Sequence, residues 1–563
     1  MLDIRKYGII PFGATPNERQ LAHFKMKKAF FHFGVNTFTD MEWGNGEEME
    51  KVFDPTEPDV EQWIVTVKKA GFDLAILTAK HHDGFCLWPS EHTAHSVKNS
   101  PYKNGKGDIV REFTDACHKH GIKVGIYLSP WDRNAPFWGT DEYSLYYAKQ
   151  LNELLTNYGR IDEIWWDGAG SLETKYDWKL WADLIREKQP HACIFGSMGA
   201  TPYVDLRWVG NEKGSAGKTH YASIDACDLE AERPRVLNVG KLGGDRYIVS
   251  ECDVSIRPGW FYHKKQDSAV KSVSRLNRLW FESVGRNSIM LLNFPPDRRG
   301  VVHEIDAENA IRSHGCITKM LSKNYLDGAK INADAPLSTT LSAENLLVDR
   351  EDAFYAAGTK NPVIDIFPNT TAPFNVFTVS EVTEAGERVS EWKLEAIEGE
   401  EVTLLGKATS IGHLRAIRFP EGAYSHLRLT ITDAADTPVL RAVAAYRFED
   451  VDDEESLSEK QNLMLSDLAG VEYENNGHTA ILSFGGIYPF NHISFKPCDP
   501  CEYRVSVFNG LHYEPLLSGL TESGVQHFDL SEPVDGCYQI KIECDSGFSC
   551  SNEFEVSLKP TRN

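Results

Sequence analysis

Ile161-Asp162-Glu163-Ile164-Trp165-Trp166-Asp167-Gly168 is the stretch whose reading decides the fold. Ile161, Ile164 and the tryptophan pair favour extended backbone, and Gly168 ends the segment. It reads as a short buried strand with a carboxylate at its C-terminal tip. In a β/α barrel such tips carry the chemistry, because the loops after the strands meet on one face. Asp167 is therefore the candidate reacting group. Both tryptophans are expected to exclude water and to offer flat faces to a sugar. A turn cap ahead of Gly168 is the plainer alternative for Asp167.

The segments on either side repeat one rhythm. Strands are predicted at 27–36, 73–79, 122–129, 192–196 and 288–294. Helices are predicted at 58–71, 108–121, 141–159, 176–188 and 267–284, with Asp108 as an N-cap and Gly71 and Gly121 as stops. Strand, helix, strand in this order implies a parallel sheet with helical crossovers. The fold class is therefore α/β, a (β/α)8-like (TIM-type) barrel over residues 1–320. The interval 200–250, rich in Gly, Pro and charge, is expected to form irregular strands and long loops. Beyond 320 helical stripes give way to short β-rich segments between turns. They predict a β-sandwich over 330–447 and a further all-β domain of unknown role over 460–563. Between these two, residues 449–459 hold seven acids and read as a solvated linker.

Bulk properties narrow the function. A chain of 563 residues is too long for one core. A net charge of -23 argues against nucleic acid or an anionic membrane surface and suits a neutral substrate. No apolar run is long enough to span a bilayer, and no apolar segment follows Met1-Leu2-Asp3-Ile4-Arg5 as a secretory signal would. Compartment and oligomeric state stay open. Of the 11 cysteines, Cys498, Cys501, Cys537, Cys544 and Cys550 crowd the C-terminal end. Cys498-Asp499-Pro500-Cys501 reads as a disulfide, a metal half-site or neither, and without a second CxxC zinc is the weakest of these.

On the barrel face the reading gathers His32, His81, His82, Tyr127, Trp131 and Asp167. Histidine hydrogen-bonds ring hydroxyls and tryptophan stacks on a pyranose. Adjacent histidines on extended backbone point in opposite directions, so His81 and His82 are awkward joint ligands; no metal and no cofactor are expected. Cleaving a glycosidic bond needs a second carboxyl, ~5–5.5 Å from the first in a retaining enzyme. The candidates are Glu42, Glu47, Glu212, Asp225 and Glu251. Glu212 stands where a strand end passes into a Gly-rich loop, and a surface turn residue is its bland reading.

A family resemblance joins these residues. Phe31-His32-Phe33-Gly34, Glu42-Trp43, Lys80-His81-His82-Asp83-Gly84-Phe85, Gly125-Ile126-Tyr127-Leu128-Ser129, Trp165-Trp166-Asp167-Gly168 and Asn287-Ser288-Ile289-Met290-Leu291-Leu292-Asn293 resemble an α-L-fucosidase of glycoside hydrolase family 29. Gly210-Asn211-Glu212 and Asp253-Val254-Ser255-Ile256-Arg257-Pro258-Gly259-Trp260-Phe261 resemble the subfamily selective for branched α-1,3/1,4-linked fucose. The resemblance implies Asp167 as nucleophile and Glu212 as acid/base in a retaining double displacement. It implies a fucose pocket of His32, Glu42, Trp43, His81, His82, Tyr127, Trp165 and Arg257, to which Trp131 and Trp260 are added. The substrate implied is a fucosylated oligosaccharide or glycan. The segment 330–447 resembles a galactose-binding-like sandwich. The alternatives are a lectin-like barrel that binds without turnover and a barrel hydrolase for another galacto-configured deoxy sugar.

Overall fold

The computed structural model describes residues 2–169, 174–196, 199–230, 234–348, 350, 352–451, 463–464, 472–508, 513–548 and 555–558. Eight parallel strands close into a barrel: Lys28–Phe31 (β1), Leu74–Lys80 (β2), Lys123–Leu128 (β3), Glu163–Trp165 (β4), Cys193–Phe195 (β5), Leu206–Trp208 (β6), Val249–Ser255 (β7) and Ile289–Asn293 (β8). Each strand pairs with its neighbours in chain order, and β1 closes on β8 through Lys28 opposite Leu291. The α/β barrel expected from the strand–helix rhythm is the architecture found.

Local chemistry sets the helix ends. Asp108 accepts a hydrogen bond from the Arg111 N–H and caps Ile109–His120, which Gly121 ends at φ 69°. Ser272 caps Val273–Glu282 in the same way, so this helix begins later than the predicted 267. β1 is also shorter than expected: the chain leaves it after Phe31 and turns at Gly34 into the helix Val35–Thr39. His32 thus stands just past the strand tip. The helix Glu304–Leu321 falls where the sequence reading places no element. The irregular interval holds β6, the short paired segments Ser223–Ile224 and Arg246–Tyr247, and two short helices.

Strand alternation sorts side chains between two cores. Outward residues such as Ala29, Phe31, Leu77, Ile126, Ile164 and Leu292 pack against the helices. Inward residues such as Phe30, Ile76, Tyr127, Trp165, Phe195 and Leu291 fill the lumen. This overturns one expectation. Trp165 points into the lumen, but its neighbour Trp166 points out, fully buried between Trp178 (5.1 Å) and Trp181 (6.3 Å). Only one of the pair is placed to meet a ligand.

Beyond the barrel, a five-stranded and a four-stranded antiparallel sheet enclose a core that includes Ile364, Phe377, Trp392 and Leu429. They grip the barrel through Glu387. Its buried carboxylate accepts hydrogen bonds from the Ala222 and Ser223 N–H groups at 3.0 Å and from Asn287 Nδ2 at 2.5 Å. A further antiparallel sheet spans the C-terminal part, and in it the expected strands near 480 and 492 are two ends of one irregular strand, Thr479–Phe495. Most of the acidic segment 449–459 lies outside the described residues.

Candidate active site

Asp167 follows β4 by two residues and shares the inward face of Trp165. Two donors fix its carboxylate. The Ala169 N–H donates to Oδ1 at 2.8 Å, and the Tyr127 hydroxyl donates to Oδ2 at 2.9 Å. The carboxylate side chain keeps 26% of its surface exposed, whereas His82 beside it keeps 1%. The acid is reachable and its setting is dry. Burial, and secondarily the Asp167 charge, push the Tyr127 phenol well above its usual value, so Tyr127 stays a donor.

The imidazoles around it are held neutral. Burial pushes His32 down to about 3 and His82 down to about 4, and it lowers His81 well below the usual value. The surrounding network assigns their tautomers. Asn293 spends its Nδ2 on Ser255 Oγ and the Trp260 carbonyl, so its Oδ1 accepts from His32 Nδ1 at 2.9 Å. Ser129 donates to the Trp131 carbonyl, so its Oγ accepts from His82 Nδ1 at 2.8 Å. Both Nε2 atoms are left as bare acceptors. His82 Nε2 lies 3.7 Å from Asp167 Oδ2. Each of these acceptors is suited to take a hydrogen bond from an external donor.

Aromatic faces complete the wall. Trp260 lies 5.0 Å from the His32 ring, and His81 stacks 5.7 Å from Tyr127. Trp43 and Trp131 meet edge to face at 5.8 Å beside His82. Trp165 stacks 3.9 Å from Phe195 and donates from Nε1 to Glu251 at 3.1 Å. The structure thus brings together Asp167, Tyr127, His32, His81, His82, Trp43, Trp131, Trp165 and Trp260. The His81 and His82 rings lie only 4.1 Å apart between centroids, against the expectation that they point in opposite directions, because the extended backbone ends at Lys80 and the chain turns at His82.

Glu42 and Arg257 have other engagements. Glu42 is buried and accepts from the Trp260 N–H at 2.8 Å and from His263 Nε2 at 2.6 Å. It anchors the loop that presents Trp260. Burial alone would lower His263, but hydrogen bonds to Asp40 and Glu42 outweigh it and raise the imidazole to about 9. Arg257 is fully buried, with Nε on Asp306 at 2.7 Å, Nη1 on Asp267 at 2.8 Å and the guanidinium over the Tyr262 ring at 4.7 Å. It braces the same loop from the helix side, and the partners that fix Asp167 are Tyr127 and the Ala169 N–H instead. The resemblance-based placing of Arg257 against the sugar thus meets a guanidinium committed to two carboxylates.

Among the candidate acids, Glu212 is half-buried on the loop after β6. Glu251 lies deep in the lumen, bound to Lys28; Glu47 is exposed; Asp225 pairs with Lys241 outside the barrel. A carboxyl that sequence reasoning passed over stands nearby. Asp253 points inward on β7, is 3% exposed, and feels both Glu212 and Asp167. Burial, then the neighbouring Glu212, push it well above the usual carboxylate range. Its signal was the period of two along β7, which puts 251, 253 and 255 on one face.

A closed parallel barrel with a fixed, accessible carboxylate at a strand tip, ringed by aromatic faces and neutral acceptors, defines a glycoside hydrolase. The alpha-L-fucosidase family model matches residues 14–316, and the chain belongs to that family, glycoside hydrolase family 29. Alpha-L-fucosidase 1 of Arabidopsis thaliana is 36% identical over 453 residues, covering 77% of this chain and 88% of the plant protein. A putative alpha-L-fucosidase from Bacteroides thetaiotaomicron has a similar structure, with TM-score 0.76 and 42% identity over 78% of this chain and 99% of that one. A Ruminococcus gnavus family 29 fucosidase solved in complex with fucose superposes with TM-score 0.73 at 30% identity, covering 80% of this chain and 97% of its own. The chain is an alpha-L-fucosidase, a hydrolase acting on fucose.

Proposed function

We propose that the enzyme removes terminal α-1,3/1,4-linked L-fucose from branched glycans by double displacement with net retention. The observation that carries this reading is the Asp167 carboxylate, fixed by Tyr127 and the Ala169 N–H yet open to the pocket. Asp167 attacks the anomeric carbon while Glu212 protonates the leaving oxygen. Glu212 then takes a proton from the water that hydrolyses the fucosyl-enzyme. The neutral His32 and His82 accept hydrogen bonds from hydroxyls of the sugar, and Trp260 supplies an apolar wall for its methyl group. Arg257 and Glu42 act by holding the 257–263 loop. The linkage preference rests on the residues around Glu212 and on the stretch from Asp253 to Phe261. For the 330–447 unit the proposed role is to stiffen the barrel through Glu387.

Two measurements test this. Asp167→Ala should abolish hydrolysis, and azide should restore release from an activated aryl fucoside with an inverted product; unchanged turnover would remove Asp167 from the mechanism. A panel of Lewis-type trisaccharides against linear 2′-fucosylated sugars should show cleavage of the branched set, and equal rates on both would refute the linkage preference.

A further inference from the structure

The C-terminal sheet carries a thiol cluster that the chemistry at the barrel mouth does not use. Cys501 stands one residue ahead of the strand Glu502–Phe508, and Cys544 ends the strand Gln526–Cys544. The strands are antiparallel, with Tyr503 opposite Cys544. Positions 501 and 503 share a face, so Cys501 and Cys544 are diagonal neighbours, near enough for each thiol to shift the other's ionisation.

The turn after Cys544 folds back over Cys501. The Gly547 N–H closes it on the Cys544 carbonyl at 3.0 Å. This places Ser546 Oγ 3.2 Å from the Cys501 sulfur. Thr521 Oγ1 lies 3.8 Å away. The Ser546 hydroxyl also reaches the Asp499 carbonyl at 2.6 Å, so its hydrogen can swing to sulfur when Cys501 ionises. Burial pushes the Cys501 thiol up, but these donors outweigh it and hold the thiol below its usual value. Cys501 is partly exposed, Cys544 is buried and Cys498 is exposed. A stabilised, reachable thiolate beside a second thiol is the arrangement that reacts with small disulfides and is then resolved.

We propose that Cys501 is a thiol-modification site whose adduct with a low-molecular-weight disulfide is resolved by Cys544 into a Cys501–Cys544 bond. The Cys501 thiolate attacks one sulfur of the small disulfide. A protein–small-thiol mixed disulfide forms and one small thiolate leaves, taking up a proton. The Cys544 sulfur then attacks the Cys501 sulfur, gives up its proton, and expels the second small thiol. Two protein thiols are oxidised and one small disulfide is reduced to two thiols. Cys544 is pushed up to about 12, first by burial and then by Cys501. The Cys501 share of that shift vanishes once Cys501 is in the adduct, which readies Cys544 for the second step. Sequence spacing pairs Cys498 with Cys501, whereas the fold sets Cys544 against it.

The test uses the full-length reduced protein and oxidised glutathione. Disulfide mapping by mass spectrometry should find one peptide pair joining Cys501 to Cys544, and the melting temperature should rise on oxidation. Cys544→Ser should instead accumulate glutathione on Cys501, and Cys498→Ser should behave as wild type. Ser546→Ala, which leaves both cysteines in place, should slow alkylation of Cys501 by iodoacetamide at least severalfold. A Cys498–Cys501 link, any other pairing, a persistent glutathione adduct in the wild type, or no reaction would each overturn the proposal. So would alkylation of Cys501 no faster than that of exposed Cys498 and unaffected by Ser546→Ala.

Discussion

The barrel lumen holds two carboxyl clusters, one above the other, and they are managed in opposite ways. At the floor, Glu163 and Glu251 flank Lys28, with Glu163 Oε2 2.5 Å from the ammonium and all three side chains sealed from solvent. At the mouth, Asp167 meets a phenol, a backbone N–H and neutral imidazoles. At the floor two carboxyls share one fixed cation, and burial followed by the Glu163 charge raises Glu251 to about 7, so the group is sealed and committed to Lys28. Neutral donors and acceptors at the mouth orient a charge without cancelling it. The reactive carboxylate therefore needs the mouth's arrangement, and the floor's arrangement serves closure of the barrel. Trp165 joins the levels, stacking under Tyr127 (5.5 Å) while donating to Glu251.

Substitutions can separate the two levels. The largest expected effect is at the mouth. Asp167→Ala should cut turnover on the order of 10⁴–10⁶-fold, as deletion of a reacting side chain does, with the melting temperature nearly unchanged. A large loss of stability in this variant would mean Asp167 is structural, like the floor. Next is Lys28→Met. It leaves two buried carboxyls without their cation and should cost about 3–5 kcal/mol in denaturant unfolding. The folded fraction should keep the wild-type Michaelis constant, and a changed constant would break the division between levels.

Tyr127→Phe sharpens the contrast. It removes one hydrogen bond to a charged acceptor, about 1.5–3 kcal/mol, so kcat/KM should fall roughly 10- to 100-fold with little change in stability. If thermal stability falls instead and kcat/KM holds, Tyr127 belongs to the packing and not to the chemistry. The smallest effect concerns the loop that presents Trp260. His263 is raised in the folded state from 6.5 to about 9. Its contribution is complete below about pH 6.5 and is lost as pH rises through 9. Product inhibition by free fucose should therefore weaken roughly fivefold or less above pH 9, the loss of about 1 kcal/mol. In His263→Gln the inhibition constant should no longer change across that window. A constant that still shifts in His263→Gln would assign the titration to another group.

Local sequence determined the rhythm of strands and helices, the caps at Asp108 and Gly121, and the position of Asp167 at a strand tip. These depend on neighbours a few residues away, through backbone preference and capping hydrogen bonds. His32, His81, His82 and Trp131 were legible for a related reason, since each follows a strand and strand ends share a face, whereas Trp43 and Trp260 joined the pocket only with the family resemblance. What only tertiary structure decided is how polar side chains are matched across the barrel. Trp165 and Trp166 are chemically alike, and closure of the sheet alone made one face the lumen and the other the helices. Arg257 read as a sugar ligand until Asp306, some fifty residues on in a helix the sequence reading missed, took its guanidinium. Lys28, Glu163 and Glu251 come from three distant strands, and Glu42 finds its partners more than two hundred residues away. A charged side chain finds its partner across space, so its role is set only once distant strands are in register.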